Sequence, residues 1–173
     1  MMQRNVEKFG ISDKRGRTRT SDDPYLPESG LKEPAICQGC QAIYRSKRWQ
    51  FEPNVAKEMQ DDPKVQWVTC PACLKIAEHY PEGIVTLRGD YLWRHEEEIR
   101  NILSNEAERV MAKNPIARIM HMETSGESLV IETTEKKLAE HLGRTLNRAH
   151  SGDLQVEWSD SPRVCRVNWE RWL

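Results

Sequence analysis

Beyond position 83 the apolar and polar residues fall into two rhythms that alternate along the chain. Residues 84–88 read as a short strand, broken by Gly89 and Asp90. Ile99, Ile102, Leu103, Val110 and Met111 then recur at helical spacing over residues 95–111. Asn114-Pro115 ends that helix, because the residue before a proline avoids helical torsions. Residues 116–122 and 129–133 are rich in strand formers, and the Thr124-Ser125-Gly126-Glu127 stretch between them predicts a hairpin. Leu138, Leu142 and Leu146, four apart, mark a second helix. Thr133 or Thr134 is placed to cap it and Ser151-Gly152 to stop it. Leu154, Val156 and Trp158 alternate with polar residues, as do Cys165, Val167 and Trp169. The succession β-α-β-β-α-β-β predicts an α+β domain over residues 83–173. The natural packing is a ferredoxin-like sandwich, two helices on one face of an antiparallel sheet, with one extra strand. Trp67, Trp158 and Trp169 occupy alternating strand positions and are expected in the core.

Upstream this rhythm is lost. Residues 34–82 carry two Cys-x-x-Cys pairs, Cys37/Cys40 and Cys70/Cys73. Between them the chain reads as a loop with Pro53 and Pro63 as breakers, until Val65, Trp67 and Thr69 alternate as a short strand. So little apolar sequence makes no core of its own, and something besides hydrophobic burial must hold the segment together. Residues 1–33 show neither period and read as a polar tail with Gly10, Gly16, Gly30, Pro24 and Pro27.

Composition adds little to this division. The 173 residues hold 26 Lys and Arg against 27 acidic residues, so a net charge of −1 points to no class of partner. At 38% hydrophobic and 31% charged, the chain suits a modest core plus polar segments. No apolar run approaches the roughly 18 residues of a membrane span, and MMQRNVEKFG lacks the apolar centre of a secretory signal. The expectation is a soluble, cytoplasmic protein without a membrane partner.

The cysteines carry the chemistry. Two Cys-x-x-Cys knuckles can surround one zinc ion with four thiolates, and metal binding would supply the folding free energy that the segment otherwise lacks. The pairs stand 29 residues apart, more than in simple ribbons, yet a loop of that length adds little closure entropy. The segment is therefore expected to be a four-cysteine zinc ribbon with Zn2+ on Cys37, Cys40, Cys70 and Cys73. A thiol–disulfide centre is the rival, and Pro71 inside the second pair suits it. That chemistry, however, asks for one pair opening a helix, whereas here two matched pairs flank a loop. Four cysteines can also hold an iron–sulfur cluster. Catalytic zinc keeps a position open, which four cysteines close. His79, near the second pair, can replace one ligand but reads better as a surface residue. Cys165 reads as a small buried strand residue. The HEEEIR stretch (residues 95–100) lacks the second histidine of a metalloprotease helix, and its glutamates suit a helix N-terminus. No phosphate-binding glycine loop is present, and no enzyme activity or small-molecule substrate is expected.

The succession VTCPACLKIAEHYPEGIVTLRGDYLWRHEEEIRNIL resembles one family, the nonsense-mediated-decay-related adaptor that accompanies the large ribosomal subunit during nuclear export in eukaryotes, with its archaeal counterpart. The likeness continues through LVIETTEKKLAEHLGRTLNRAHSG and covers residues 34–173. It implies a zinc-bearing module followed by an α/β domain, acting on the large subunit through RNA and ribosomal proteins. Only Cys37, Cys40, Cys70 and Cys73 carry over as metal ligands, and the Leu87-Arg88-Gly89 match is structural. Family members carry further cysteine pairs and a second zinc, while this chain has enough for one. It also lacks their C-terminal domain and export signals, so a compact prokaryotic relative is expected in place of an export factor.

Two basic clusters make RNA the first expected partner: Lys14, Arg15, Arg17 and Arg19 in the tail, and Arg45, Lys47 and Arg48 with Trp49 beside the first knuckle. Cations follow phosphates while a flat ring stacks on an unpaired base. The ribosome or its RNA, with ribosomal proteins, would be the target. A protein–protein adaptor without nucleic acid is the alternative, since neither fold fixes a function.

Overall fold

The computed structural model describes Tyr25 and residues 31–173. Lys14, Arg15, Arg17 and Arg19 therefore lie outside the described residues. Residues Glu33–Leu173 form one compact unit that contains both the cysteine segment and the α+β segment.

The cysteine segment builds a four-stranded sheet from β1 (Ala35–Cys37), β2 (Ile43–Arg45), β3 (Arg48–Gln50) and β4 (Gln66–Val68), in the order β3-β2-β1-β4. The stretch read as a loop contains a helix. Pro53 opens α1 (Pro53–Met59), because a proline at the first helical position has no N–H to leave unbonded. This helix is the crossover between β3 and β4, and β4 returns parallel to β1 with Cys37 opposite Val68. Ile36, Ile43, Ala56 and Val65 close a small apolar centre beneath it. The segment thus has a core of its own, contrary to expectation, although a thin one.

The second knuckle opens another helix, α2 (Pro71–Glu78), with Cys70 as its N-cap. Sequence reasoning missed it because one buried face and a length of two turns leave too few periodic positions to register.

Downstream, β5 (Gly83–Arg88) leads through α3 (Asp90–Arg94) into the long α4 (Glu96–Lys113). Glu96, Glu97 and Glu98 fill the first turn of α4, where the helix dipole favours them. Strands β6 (Ile119–Ser125) and β7 (Ser128–Thr133) form the expected hairpin, turning at Gly126 with φ 62°. Helix α5 (Lys136–Ala149) and strands β8 (Asp153–Asp160) and β9 (Arg163–Glu170) complete the chain. Glu135, not Thr133 or Thr134, occupies the N-cap position of α5, without a side-chain cap bond. Both threonine hydroxyls are used elsewhere, Thr133 on the Glu135 carbonyl at 2.8 Å and Thr134 on the Ile116 carbonyl at 2.6 Å.

The five strands lie in the order β6-β7-β5-β9-β8, and this sheet is mixed, not antiparallel. Strand β9 runs parallel to β5, with Val85 opposite Val167 and Leu87 opposite Trp169. The added strand is the reason: β8 forms the edge, so the chain reverses once more before β9 reaches the centre. The apolar face of the sheet packs on α4 and α5 through Val85, Leu87, Leu129, Ile131, Val167 and Trp169, against Ile99, Leu103, Leu138, Leu142 and Leu146. Gly143 permits the close approach of α5, since a Cβ there would stand 2.5 Å from Val167 Cγ1.

Trp169 is buried as expected, but Trp67 and Trp158 are 46% and 50% exposed. Both belong to edge strands, and alternation along an edge strand gives a side chain its face without guaranteeing that anything covers it. The opposite face of the large sheet presents Glu123, Glu132, Glu157 and Glu170 among Arg88 and Arg166, an acidic balance. Among the described residues no helix is long and apolar enough to cross a membrane.

Candidate metal centre

Two backbone devices aim four sulfurs at one point. At the first knuckle, Cys37 ends β1 and the chain doubles back through Gln41, whose φ of 64° is left-handed. The turn is closed by Gln41 N–H on the Cys37 carbonyl at 2.9 Å and Cys37 N–H on the Ala42 carbonyl at 2.8 Å. At the second, Cys70 and Cys73 occupy the N-cap and first turn of α2, where free N–H groups point at the sulfurs. Parallel pairing of β1 with β4 delivers the two knuckles side by side, and Gln38 ties them through its N–H on the Val68 carbonyl at 2.8 Å and its side chain on Thr69 at 3.1 Å. Gly39 leaves room for the meeting, as a Cβ there would lie 3.0 Å from Cys73 Sγ.

All four sulfurs lie within 4.8 Å of one another. Cys37 stands 3.7 Å from Cys73, and Cys40 stands 3.8 Å from Cys70. Sulfurs held tetrahedrally about 2.3 Å from a zinc ion are about 3.8 Å apart, so these spacings fit a tetrathiolate site. Cys37 and Cys70 are buried while Cys40 and Cys73 are half-buried.

The donor chemistry points the same way. Cys37 is held far below the usual thiol range by hydrogen bonds from the Cys40 and Cys70 side chains. Cys40 and Cys70 are pushed up by their contact with Cys37. Without a cation the cluster favours one thiolate that its neighbours solvate, since four adjacent negative charges repel. A dication is what lets all four ionise together. The residues fit a metal ion of the zinc type.

Each sulfur also meets N–H groups. Cys37 Sγ accepts from Gly39 at 3.3 Å and Cys70 at 3.2 Å, and Cys70 Sγ accepts from Cys73 at 3.4 Å. Ala42 serves Cys40 from the backbone, and further donors come from far along the chain. Arg118, just before β6, places its guanidinium 3.0 Å from Cys40 Sγ, 3.3 Å from Cys70 Sγ and 3.5 Å from Cys73 Sγ. Nothing in the sequence marks this arginine, which stands 45 residues beyond Cys73.

A buried ionic joint lies beside the centre. Lys75, on α2, reaches the Thr134 carbonyl at 3.1 Å and Glu82 at 3.0 Å, and Arg163 meets the other oxygen of Glu82 at 2.9 Å. His79 pairs with Glu132 at 2.9 Å and lies outside the cysteine cluster. The second pair does open a helix, which removes the sequence-based objection to a dithiol centre. What remains against that chemistry is the convergence of all four sulfurs, where exchange needs two.

The basic residues of the first knuckle divide. Arg45, Lys47 and Arg48 surround the β2–β3 turn and are exposed, with Arg45 on Glu52 at 3.1 Å. Ser46 and Lys47 have φ of 58° and 63°, the paired left-handed geometry of a two-residue hairpin turn, and both N–H groups point at Glu33. Trp49 is only 9% exposed and packs on Tyr44 with ring centroids 5.3 Å apart. Its ring packs within the fold, with little of its surface exposed.

No protein-family model matches the chain, and neither a curated protein nor a solved structure does.

Proposed function

We propose that this chain is a non-catalytic zinc protein whose four-cysteine centre is structural, and which associates with the ribosome or another structured RNA in the cytoplasm. The observation that carries the metal part is the 3.7–3.8 Å spacing of sulfurs from two separate knuckles. Zinc suits four thiolates in a tetrahedral, closed shell, and such a site stabilises a fold instead of activating a substrate.

The RNA part rests on the exposed cations Arg45, Lys47 and Arg48 at one hairpin tip, on the basic run at positions 14–19, and on the likeness to the large-subunit adaptor family. On this reading the large sheet is a ferredoxin-like sheet extended by β8. Its acidic open face is ill suited to phosphates, which leaves the hairpin and the basic run as the contacts. Sedimentation of lysate on sucrose gradients at low and high salt tests the reading. Co-migration with ribosomal particles that salt disrupts supports it, and a protein that stays at the top at low salt contradicts it.

A protein–protein adaptor is the second reading. Trp67, Ile76, Trp158, Trp172 and Leu173 are large apolar side chains left 40–65% exposed, and aromatic residues of this kind are enriched at protein interfaces. Binding retained at high salt favours it.

A further inference from the structure

Arg118 reaches the cysteine cluster from outside the two knuckles, and its guanidinium touches three of the four sulfurs. Its arm is fixed from behind. Nε donates to the Pro115 carbonyl at 2.7 Å, the backbone N–H donates to Thr134 Oγ1 at 2.9 Å, and the Arg118 carbonyl accepts from Thr134 N–H at 2.9 Å.

Two features separate this arrangement from ordinary packing. Backbone N–H groups serve Cys37, Cys70 and, from Ala42, Cys40, whereas the guanidinium reaches Cys70 and both half-buried sulfurs, Cys40 and Cys73. A dication bound by four thiolates still carries two negative charges in a half-buried place, where uncompensated charge is costly. A planar fork of donors spreads one positive charge over several sulfurs, which a single ammonium cannot do.

We propose that Arg118 is the outer positioning residue of the metal centre: it offsets the charge of the tetrathiolate, shields the two half-buried sulfurs from electrophiles, and couples metal occupancy to the seating of the cysteine segment on the larger sheet. This rests on the metal reading above. Its general basis is that hydrogen-bonded partners behind the ligands set metal affinity about as strictly as the ligands themselves.

The test uses the full chain, zinc-loaded, as wild type, Arg118→Gln and Arg118→Lys. Zinc affinity is read by competition with a chromophoric chelator, and alkylation by iodoacetamide is located by mass spectrometry. The Gln variant is expected to bind zinc roughly 10–100-fold more weakly and to be alkylated faster at Cys40 and Cys73 than at Cys37, with the Lys variant between. A folded Gln variant alkylated alike at all four cysteines overturns the proposal. If the Gln variant does not fold, the Lys variant decides: affinity and alkylation equal to wild type overturn it. Wild-type protein that holds no metal overturns the metal reading itself, whereas zinc-bearing wild type with unchanged variants overturns the role of Arg118 alone.

Discussion

Lys75 and Glu82 meet at 3.0 Å with side chains 2% and 1% exposed, joining the helix of the second knuckle to the start of the central strand. The Lys75 ammonium is aligned on the Thr134 carbonyl at 3.1 Å, so its meeting with Glu82 is one of charge more than of hydrogen bonding. Without Lys75 the buried Glu82 keeps Arg163 on one oxygen and loses the partner of the other. Lys75→Met is therefore expected to destabilise the chain by about 1–3 kcal/mol in urea unfolding. A loss below about 1 kcal/mol would mean that the joint is solvated and contributes little.

The two tryptophans of the β8–β9 hairpin should behave oppositely. Trp169 is 1% exposed, with its indole N–H on Asn147 at 3.1 Å, and Trp169→Ala is expected to cost about 3–5 kcal/mol. Trp158 is 50% exposed, with the Lys136 ammonium 5.9 Å from its ring, and Trp158→Ala should cost less than about 1 kcal/mol. Equal losses would contradict the placement of the edge strand.

This pair also marks what could be read from the sequence. Alternation gave both tryptophans the same face, and they do share it, because Trp158 pairs with Cys165 and Trp169 lies on the same strand as Cys165. Burial depends in addition on strand order, and β8 was an edge that local pattern does not reveal. The same limit hid the parallel pairing of β5 with β9. The helices at residues 96–113 and 136–149 were legible from their leucine and isoleucine spacing. Helices α1 and α2 were not, because each is about two turns long and opens on a proline that reads equally well as a breaker. Of the metal centre, the four cysteines were visible as a pattern, while Arg118 reaches it through tertiary structure alone.

Glu106 provides a pH signature. Its carboxylate accepts from His141 at 2.7 Å, and that bond is the main cause of a pKa held below the ordinary 4.5. A group depressed in the folded state contributes stability above its unfolded value and loses it as the pH falls through the folded value. Wild type is therefore expected to exceed Glu106→Gln in stability at about pH 6, with the difference shrinking below pH 4.5. A difference that grows on acidification would contradict the assignment.

Metal removal should act locally. The cysteine segment rests on Ile36, Ile43, Ala56 and Val65, whereas the larger sheet has the main core. Chelation is expected to release hydrogen-exchange protection at Ile36, Ile43 and Leu74 by roughly tenfold or more, with the amides of β5 and β9 retained. Uniform loss across the chain would show that the larger sheet depends on the metal for its own folding.

The most direct test of the central claim is metal analysis of the protein purified under reducing conditions, with free thiols counted on the same sample. The account predicts one zinc per chain and one reactive cysteine or fewer of the five until a chelator is added, after which the four knuckle sulfurs react. Clearly less than one zinc, with no other metal in its place and the knuckle cysteines freely reactive or joined as disulfides, would contradict it.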